Sequence, residues 1–312
     1  MARILITGGA GFVGSALATE LCRNPEDRIV IVDNFETGEQ SKVPGSPHAN
    51  VTFIKADVND FKDISSVFFS WKFDVVFHYA ALVGVKRTLE NPVKVLRDID
   101  GIRNVLDLAK NTGVSRVYYS SSSEVYGEPV HIPQHEHTTP LNSRLPYAVV
   151  KNVGEAFLRS YAQEFGLEYT IFRFFNTYGP LQSADFVVSK FIHAALDGRD
   201  LHIYGDGSQT RTFCFIADNV KATAAAFRTN AFVNDVINIG SDDEITVLKL
   251  AQKVIRLTES PSKIIHLPPL EEGDMTRRKP EISKMRELLG GNLTPLDLGL
   301  KEVIEAFRVC AE

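Results

Sequence analysis

The chain is short of the material that several kinds of protein require. Its 312 residues include three cysteines, Cys22, Cys214 and Cys310, which lie far apart and form no C-x-x-C pair. An odd, scattered set points away from a disulfide framework and from a thiolate metal site, and toward a reducing cytoplasm. No apolar run approaches the roughly 18 residues that cross a bilayer. The best stretch, Val75 to Val85, is short and contains His78, Tyr79 and Gly84. The opening shows no export signal, because Ala2-Arg3-Ile4-Leu5-Ile6 reads directly as a strand. Basic residues are outnumbered: 34 Lys+Arg against 39 Asp+Glu leave a net charge of −5. A mildly acidic chain has no global field for nucleic acid or for an anionic membrane, so neither is expected as a partner. Any anionic ligand has to be held by a few local groups. Internal repeats and low-complexity segments are absent as well.

What remains is ordinary globular composition, 44% apolar and 23% charged, in a length that allows one large domain or two modest ones. The first half alternates β-branched runs (3–7, 28–33, 51–57, 73–80, 115–121, 169–174) with amphipathic stretches (12–23, 63–70, 93–111, 146–165). Strand–helix alternation predicts parallel strands joined by crossovers, an α/β Rossmann-type doubly wound sheet covered on both faces. After Asn176 the alternation stops. Shorter strands (201–204, 211–216, 236–239, 263–267) mix with helices (184–196, 219–229, 247–258, 283–289, 301–309). The expected division is therefore 1–175 and a smaller α/β lobe, 176–312, with a soft boundary and some segments returning to the first lobe.

Thr7-Gly8-Gly9-Ala10-Gly11-Phe12-Val13-Gly14 follows the first strand and opens a helix. Glycines in that place let backbone N–H groups approach a pyrophosphate, with the helix N-terminus facing its charge. Asp33 ends the second strand, where a carboxylate accepts from an adenosine ribose and repels a 2′-phosphate, which favours NAD over NADP. Asp57, ending the third strand, is placed to meet the adenine amino group. Gly8, Gly11, Phe12, Val13, Gly14, Asp33, Asn34, Asp57, Val58, Ala80 and Ala81 make up the expected cofactor-binding set, together with Tyr147 and Lys151.

Tyr147 and Lys151 lie four apart in a predicted helix and so share a face. A phenol is a poor base near neutrality; an adjacent ammonium is expected to lower its pKa, so that Tyr147 takes a proton from a sugar hydroxyl as hydride leaves the same carbon. Ser120-Ser121-Ser122-Ser123-Glu124 follows the apolar strand Val117-Tyr118-Tyr119, at a strand end where open α/β sheets bind ligands. Capping of turns accounts for two of those hydroxyls.

Taken together, Gly8–Gly14, Asp33, Ser122–Gly127, Tyr147–Lys151, Arg173–Pro180 and Tyr204–Arg211 resemble the extended short-chain dehydrogenase/reductases that act on nucleotide sugars. The resemblance runs through nearly the whole chain, with the motifs in the familiar order. It implies oxidation of the sugar at C4 by tightly held NAD, with Ser122 on the C4 oxygen, Tyr147 as base and Lys151 as its partner. It further implies Asn176 and Arg211 at the diphosphate, Val187, Val188 and Phe191 on one side of the nucleotide base, and His202 to Tyr204 on the other. Ser123 falls in the substrate set too.

Members of this family include UDP-galactose 4-epimerases, UDP-glucuronate decarboxylases and 4,6-dehydratases. Ser123 stands where dehydratases place the first residue of an acidic pair, which argues against dehydration. Ser123-Glu124 and Arg277-Arg278-Lys279-Pro280-Glu281-Ile282 are similar to decarboxylases. The separation 147 − 122 = 25 is similar to epimerases, decarboxylases usually having a longer segment there; they also usually carry an arginine after the lysine, where this chain has Asn152, and one just before the Val-Val-Ser stretch, where it has Phe186. The reading that follows is a UDP-sugar 4-epimerase with Glu124 in the catalytic set. The alternatives are UDP-glucuronate decarboxylase, then 4,6-dehydratase, or outside enzymes a regulatory NAD-binding protein. Glu271, two before Gly273-Asp274, stands where epimerases carry a diphosphate arginine, for which Arg277 or Arg278 substitutes; Arg278 also falls near the sugar pocket. Asp98 replaces the family's asparagine. His131, His135, Glu136 and His137 read as a solvated, Pro-flanked loop, so no metal is expected. Trp71, Phe68 and Phe69 read as core, and a homodimer through helices 93–111 and 146–165 is what the family implies.

Overall fold

A computed structural model describes residues 1–45, 49–269 and 277–309. Cys310, Glu271 and the Gly273-Asp274 pair lie outside the described residues. The chain forms two compact units. One comprises Met1–Val125, Ser143–Arg173 and Val220–Ile237; the other comprises Tyr126–Asn142, Phe174–Asn219 and Asn238–Glu312.

The first unit opens with β1 (Arg3–Thr7), α1 (Phe12–Leu21), β2 (Arg28–Asp33), β3 (Val51–Lys55), α2 (Phe61–Trp71) and β4 (Val75–His78). It continues through α3 (Val85–Glu90), α4 (Pro92–Leu96), α5 (Asp98–Thr112), β5 (Arg116–Ser122), α6 (Pro146–Phe165) and β6 (Glu168–Phe174). β1, β2 and β4 are almost wholly buried Ile, Leu, Val and Phe, the composition of strands covered on both faces. β1 pairs in parallel with both β2 and β4, β2 with β3, and β4 with β5. The order around β1 is β3-β2-β1-β4-β5-β6, the doubly wound arrangement with its switch point between β1 and β4. Register aligns Thr7 with Val32 and His78, and His78 with Tyr119, so the carboxyl ends of these strands lie on one edge.

Three expectations are corrected. The helix foreseen over 93–111 is two, α4 and α5. At the join, Arg97 N–H bonds Lys94 and Asp100 N–H bonds Arg97, a three-residue step that interrupts the α-helical ladder. Phe68 is buried but Phe69 is 63% exposed, because consecutive helical residues point about 100° apart. The strand foreseen over 211–216 is two short strands parted at Phe213.

The second unit contains β7 (Thr177–Tyr178), α7 (Val187–Leu196), β8 (Leu201–Tyr204), β9 (Thr210–Thr212) and β10 (Cys214–Phe215). The chain then returns to the first unit through α8 (Ile216–Arg228) and β11 (Asp235–Ile239), and β11 extends the main sheet beside β6, making seven strands. β12 (Glu244–Thr246), α9 (Val247–Thr258), β13 (Ile264–Leu267), α10 (Ser283–Leu289) and α11 (Leu296–Val309) complete the second unit. Its small sheets pair β10 with β7, β12 with β9 and β13 with β8. Asn238 ties its distant segments together. The amide oxygen accepts from Tyr126 at 2.7 Å, the amide nitrogen donates to the carbonyls of Gln134 at 2.9 Å and Glu281 at 3.2 Å, and the backbone N–H donates to Glu136 at 2.9 Å.

Candidate active site

The carboxyl edge of the first unit's sheet carries every candidate reacting group. After β1 the chain turns through glycines packed so closely that side chains do not fit. A Cβ on Gly14 would lie 2.3 Å from the Gly8 carbonyl, and one on Gly8, whose φ is +71°, 2.6 Å from the Ala80 nitrogen. Gly11 is the N-cap of α1 and offers no side chain. This backbone-walled cradle at a helix N-terminus fits a pyrophosphate. Ala80 donates its N–H to Thr7 at 3.3 Å, which seats the loop after β4 against the turn.

Asp33 braces the same turn. Its carboxylate accepts from the Ala10 N–H at 3.0 Å and from Phe35 at 2.8 Å. Burial raises its pKa, against these two hydrogen bonds. Asp57 lies beyond the end of β3 and caps its own loop, accepting from Asn59 at 2.9 Å, while Val58 is buried beside it. Asn34 likewise accepts from the Glu36 N–H at 2.9 Å. Phe12, Val13 and Ala81 are half-buried around the cradle. The donors, the carboxylate and the absence of side chains fit a dinucleotide.

Helix α6 lies along β5 and grips three successive serines. Tyr147 bonds Ser122. Lys151 Nζ donates to the Ser120 carbonyl at 2.6 Å. One turn on, Glu155 accepts from Ser121 Oγ at 2.7 Å. The spacing i, i+4, i+8 puts all three on one helix face. Ser120 and Ser121 are thus structural, Ser120 Oγ also reaching the His78 carbonyl at 3.4 Å, and Ser122 at the strand end faces the tyrosine. Ser123 is buried and begins a short 3₁₀ turn, Ser123–Tyr126. Glu124 donates its N–H to Ser122 Oγ at 3.2 Å.

The expected lowering of the Tyr147 pKa is not what the chain produces by itself. Burial, then the charge of Glu124, hold the phenol well above its ordinary value, against the Ser122 hydrogen bond. Lys151 sits 5.0 Å from the Tyr119 ring centroid and 5.7 Å from that of Tyr147. Burial lowers its pKa to about 8, with Asp98 opposing. His78, bonded through Nδ1 to Thr7 at 2.8 Å, is pushed to about 3 by burial and then by Lys151, and is neutral. Glu155, His78 and Tyr119 carry no motif that marks them in the sequence, apart from the eight-residue spacing of Glu155 from Tyr147.

The remaining candidates belong to the second unit. Asn176 takes a positive φ of 34° and donates its amide to the Thr212 carbonyl at 2.9 Å. Val188 is buried in α7, whereas His202 is exposed and Tyr204 half-buried on β8. Arg211 in β9 is buried. Of the two arginines after the undescribed stretch, Arg277 is engaged by Glu244 in a two-pronged ion pair at 3.0 Å, while Arg278 is only 6% exposed. Of the histidine cluster, His135 and Glu136 gather with Glu281, their ligand-type atoms within 4.8 Å of one another. His137 instead meets Lys284 at 3.0 Å. Among the described residues, no helix is long and apolar enough to cross a membrane.

Comparison with known proteins identifies the family. The chain is 39% identical to the UDP-N-acetyl-alpha-D-glucosaminuronate decarboxylase of Bacillus cytotoxicus, over 98% of each chain. It is 37% identical to UDP-glucuronic acid decarboxylase 1 of Danio rerio, over 98% of this chain and 72% of that one. In structure it resembles the UDP-glucose 4-epimerase of Thermotoga maritima, solved with UDP-glucose, at a TM-score of 0.93 and 30% identity, covering 99% of this chain and 100% of that chain. With the model of the NAD dependent epimerase/dehydratase family matching residues 4–240, the chain belongs to that family and is an enzyme whose cofactor is NAD.

Proposed function

We propose that the protein decarboxylates a UDP-linked hexuronate. The observation that carries this reading is its 39% identity over 98% of both chains to a uronate decarboxylase. The half-buried Glu124 beside Tyr147 and the buried Arg278 support it. The 4-epimerase expected above becomes the second reading, supported by the 0.93 TM-score to an epimerase and by the 25-residue spacing.

Bound NAD supplies a hydride acceptor for C4 of the sugar, and the same hydride afterwards returns to that carbon. Tyr147 takes the proton of the C4 hydroxyl, and Ser122 holds that oxygen as it becomes a ketone. The Lys151 ammonium favours the phenolate as the proton moves. With C4 oxidised, the C5 carboxylate is β to a carbonyl. The C5–C6 bond breaks, carbon dioxide leaves, and the electron pair passes to the C4 oxygen as an enolate that Ser122 and Tyr147 stabilise. Protonation at C5 restores the ketone. Guanidinium recognises carboxylate and phosphate in a two-pronged fashion; Arg278 takes the uronate carboxylate and Arg211 the diphosphate. Asn176, Val188, His202 and Tyr204 belong to the nucleotide grip, and Ser123 to the sugar contacts. In this reading residues 1–175 hold NAD and the reacting groups, and 176–312 the nucleotide.

Exposed Leu89, Val93 and Leu96 on α3 and α4, with Val149 on α6, support a homodimer through these helices, which light scattering of the purified protein tests. The buried, unpaired Cys22 and Cys214 suit a reducing cytoplasm. The deciding experiment supplies NAD with UDP-glucuronate, UDP-N-acetylglucosaminuronate, UDP-glucose and UDP-N-acetylglucosamine, products being read by NMR. Carbon dioxide in equal amount to a UDP-pentose sugar is expected. Interconversion of C4 epimers without carbon dioxide selects the second reading.

A further inference from the structure

Asp98 opens α5 where that helix meets the loops after β3 and β4. Its Oδ2 accepts from the Leu82 N–H at 2.7 Å, and its Oδ1 accepts from Asn59 Nδ2 at 3.3 Å. Both partners are donors, which suits a group with two acceptor oxygens. Gly101, one turn along the helix, clears the space for Asn59: a Cβ there would lie 2.4 Å from Asn59 Oδ1. Those two loops carry Asp57 and Val58 on one side and Ala80 and Ala81 on the other. α5 also packs against α6, the helix of Tyr147 and Lys151.

We propose that Asp98 is a positioning residue of the reaction: its carboxylate joins the two cofactor loops and supplies the fixed negative charge that keeps Lys151 an ammonium. The inference rests on the reading of Lys151 given above. Lys151 meets the Ser120 carbonyl and the rings of Tyr119 and Tyr147, none of them a carboxylate. His78, from β4, is neutral and brings no opposing charge. The other charges bearing on this group are Asp57, which acts on Asp98, Glu124, which acts on Tyr147, and Glu155, which acts on Tyr119; Asp98 itself also acts on both tyrosines, raising their pKa values. Asp98 is thus the anion that acts on the lysine, and Lys151 acts reciprocally on it.

The test needs no substrate. Lys151 is held at about 8 in the folded chain and returns to roughly 10.4 on unfolding. Its buried ammonium therefore makes wild-type stability rise with pH across that interval. Urea midpoints between pH 6 and 9.5 follow the onset of the rise. Asp98→Asn, which keeps an acceptor for Leu82, is expected to move the onset down by about half to one pH unit. Asp98→Glu, which keeps the charge and disturbs the fit, is expected to leave it in place. In a Lys151→Met background, adding Asp98→Asn is expected to leave the pH dependence unchanged. If Asp98→Asn does not fold, Asp98→Ser replaces it. An onset unmoved in the uncharged variant, or a difference that persists without Lys151, overturns the proposal. Where UDP-uronates are turned over, the alkaline limb of kcat moves in the same direction. A wild type inert toward them refutes the functional reading alone, and the urea comparison still decides this one.

Discussion

Glu155 and Arg173 form a two-pronged ion pair closed to solvent, Arg173 Nε donating to Oε1 at 2.8 Å and its terminal nitrogen to Oε2 at 2.7 Å. Burial would raise the Glu155 pKa, but the hydrogen bond and charge of Arg173, with Ser121 and Arg159, hold it below the usual value. Removing one partner of a buried pair costs about 3–5 kcal/mol. Glu155→Gln is therefore expected to lower the urea midpoint sharply at pH 7. A depressed carboxylate stabilises above its unfolded pKa, about 4.3, and the benefit is lost as pH falls through the folded value. The gap between variant and wild type should narrow under acid; an equal gap at pH 7 and below pH 4 refutes the assignment.

Tyr147→Phe removes the proton acceptor and leaves the glycine cradle untouched. Loss of a positioned acid–base group lowers rates by about 10²–10⁴-fold. Turnover should fall by that factor while the NAD content of the purified protein stays at the wild-type level.

Glu124→Gln removes the charge that, after burial, holds the Tyr147 phenol high. The phenol then ionises at lower pH, and the limb of kcat/KM that reports its deprotonation should shift to lower pH. A limb that stays in place separates Glu124 from Tyr147.

Arg278→Gln should raise KM for a UDP-uronate selectively. A hydrogen-bonded charge contact is worth about 1.5–3 kcal/mol, or about 10- to 100-fold. Affinity for UDP alone, measured by calorimetry, should change little.

Gly14→Ala places a methyl 2.3 Å from the Gly8 carbonyl, with backbone on both sides of the clash. The variant should lose bound NAD, read from the absorbance of denatured supernatants. Full retention of NAD would show that the cradle is not the pyrophosphate site.

The sheet and helices of the first unit were legible because their signals are local. β1, β2 and α6 coincide with their expected spans: the strands are built around the apolar runs Ile4–Ile6 and Ile29–Val32, and the helix starts at Pro146 and ends before Gly166, whose φ is 71°. Gly8, Gly14, Asp33, Ser122, Tyr147 and Lys151 are candidates on the same kind of signal, type and spacing beside a strand end. What escaped depends on distant partners. Nothing near Arg97 forecasts the break between α4 and α5. Which of the four serine hydroxyls are structural depends on Glu155, which accepts from Ser121 across 34 residues of sequence. The grouping of Glu281 with His135 and Glu136 joins segments that no local pattern connects. The lowering foreseen for Tyr147 failed because the four-residue spacing reports the neighbouring ammonium but not the burial that outweighs it.

Asn238 has a bearing on how the polypeptide is made. Its partners, Tyr126, Gln134, Glu136 and Glu281, leave the ribosome at widely separated times, and β11 emerges long after the sheet it borders. The segment 126–142 is therefore synthesised early and waits: Tyr126, Gln134 and Glu136 cannot close their bonds until Asn238 is made, and Asn238 in turn waits for Glu281. The second unit, whose segments run past Glu281, therefore closes only after the last segment of the first unit, which ends at Ile237, has been made.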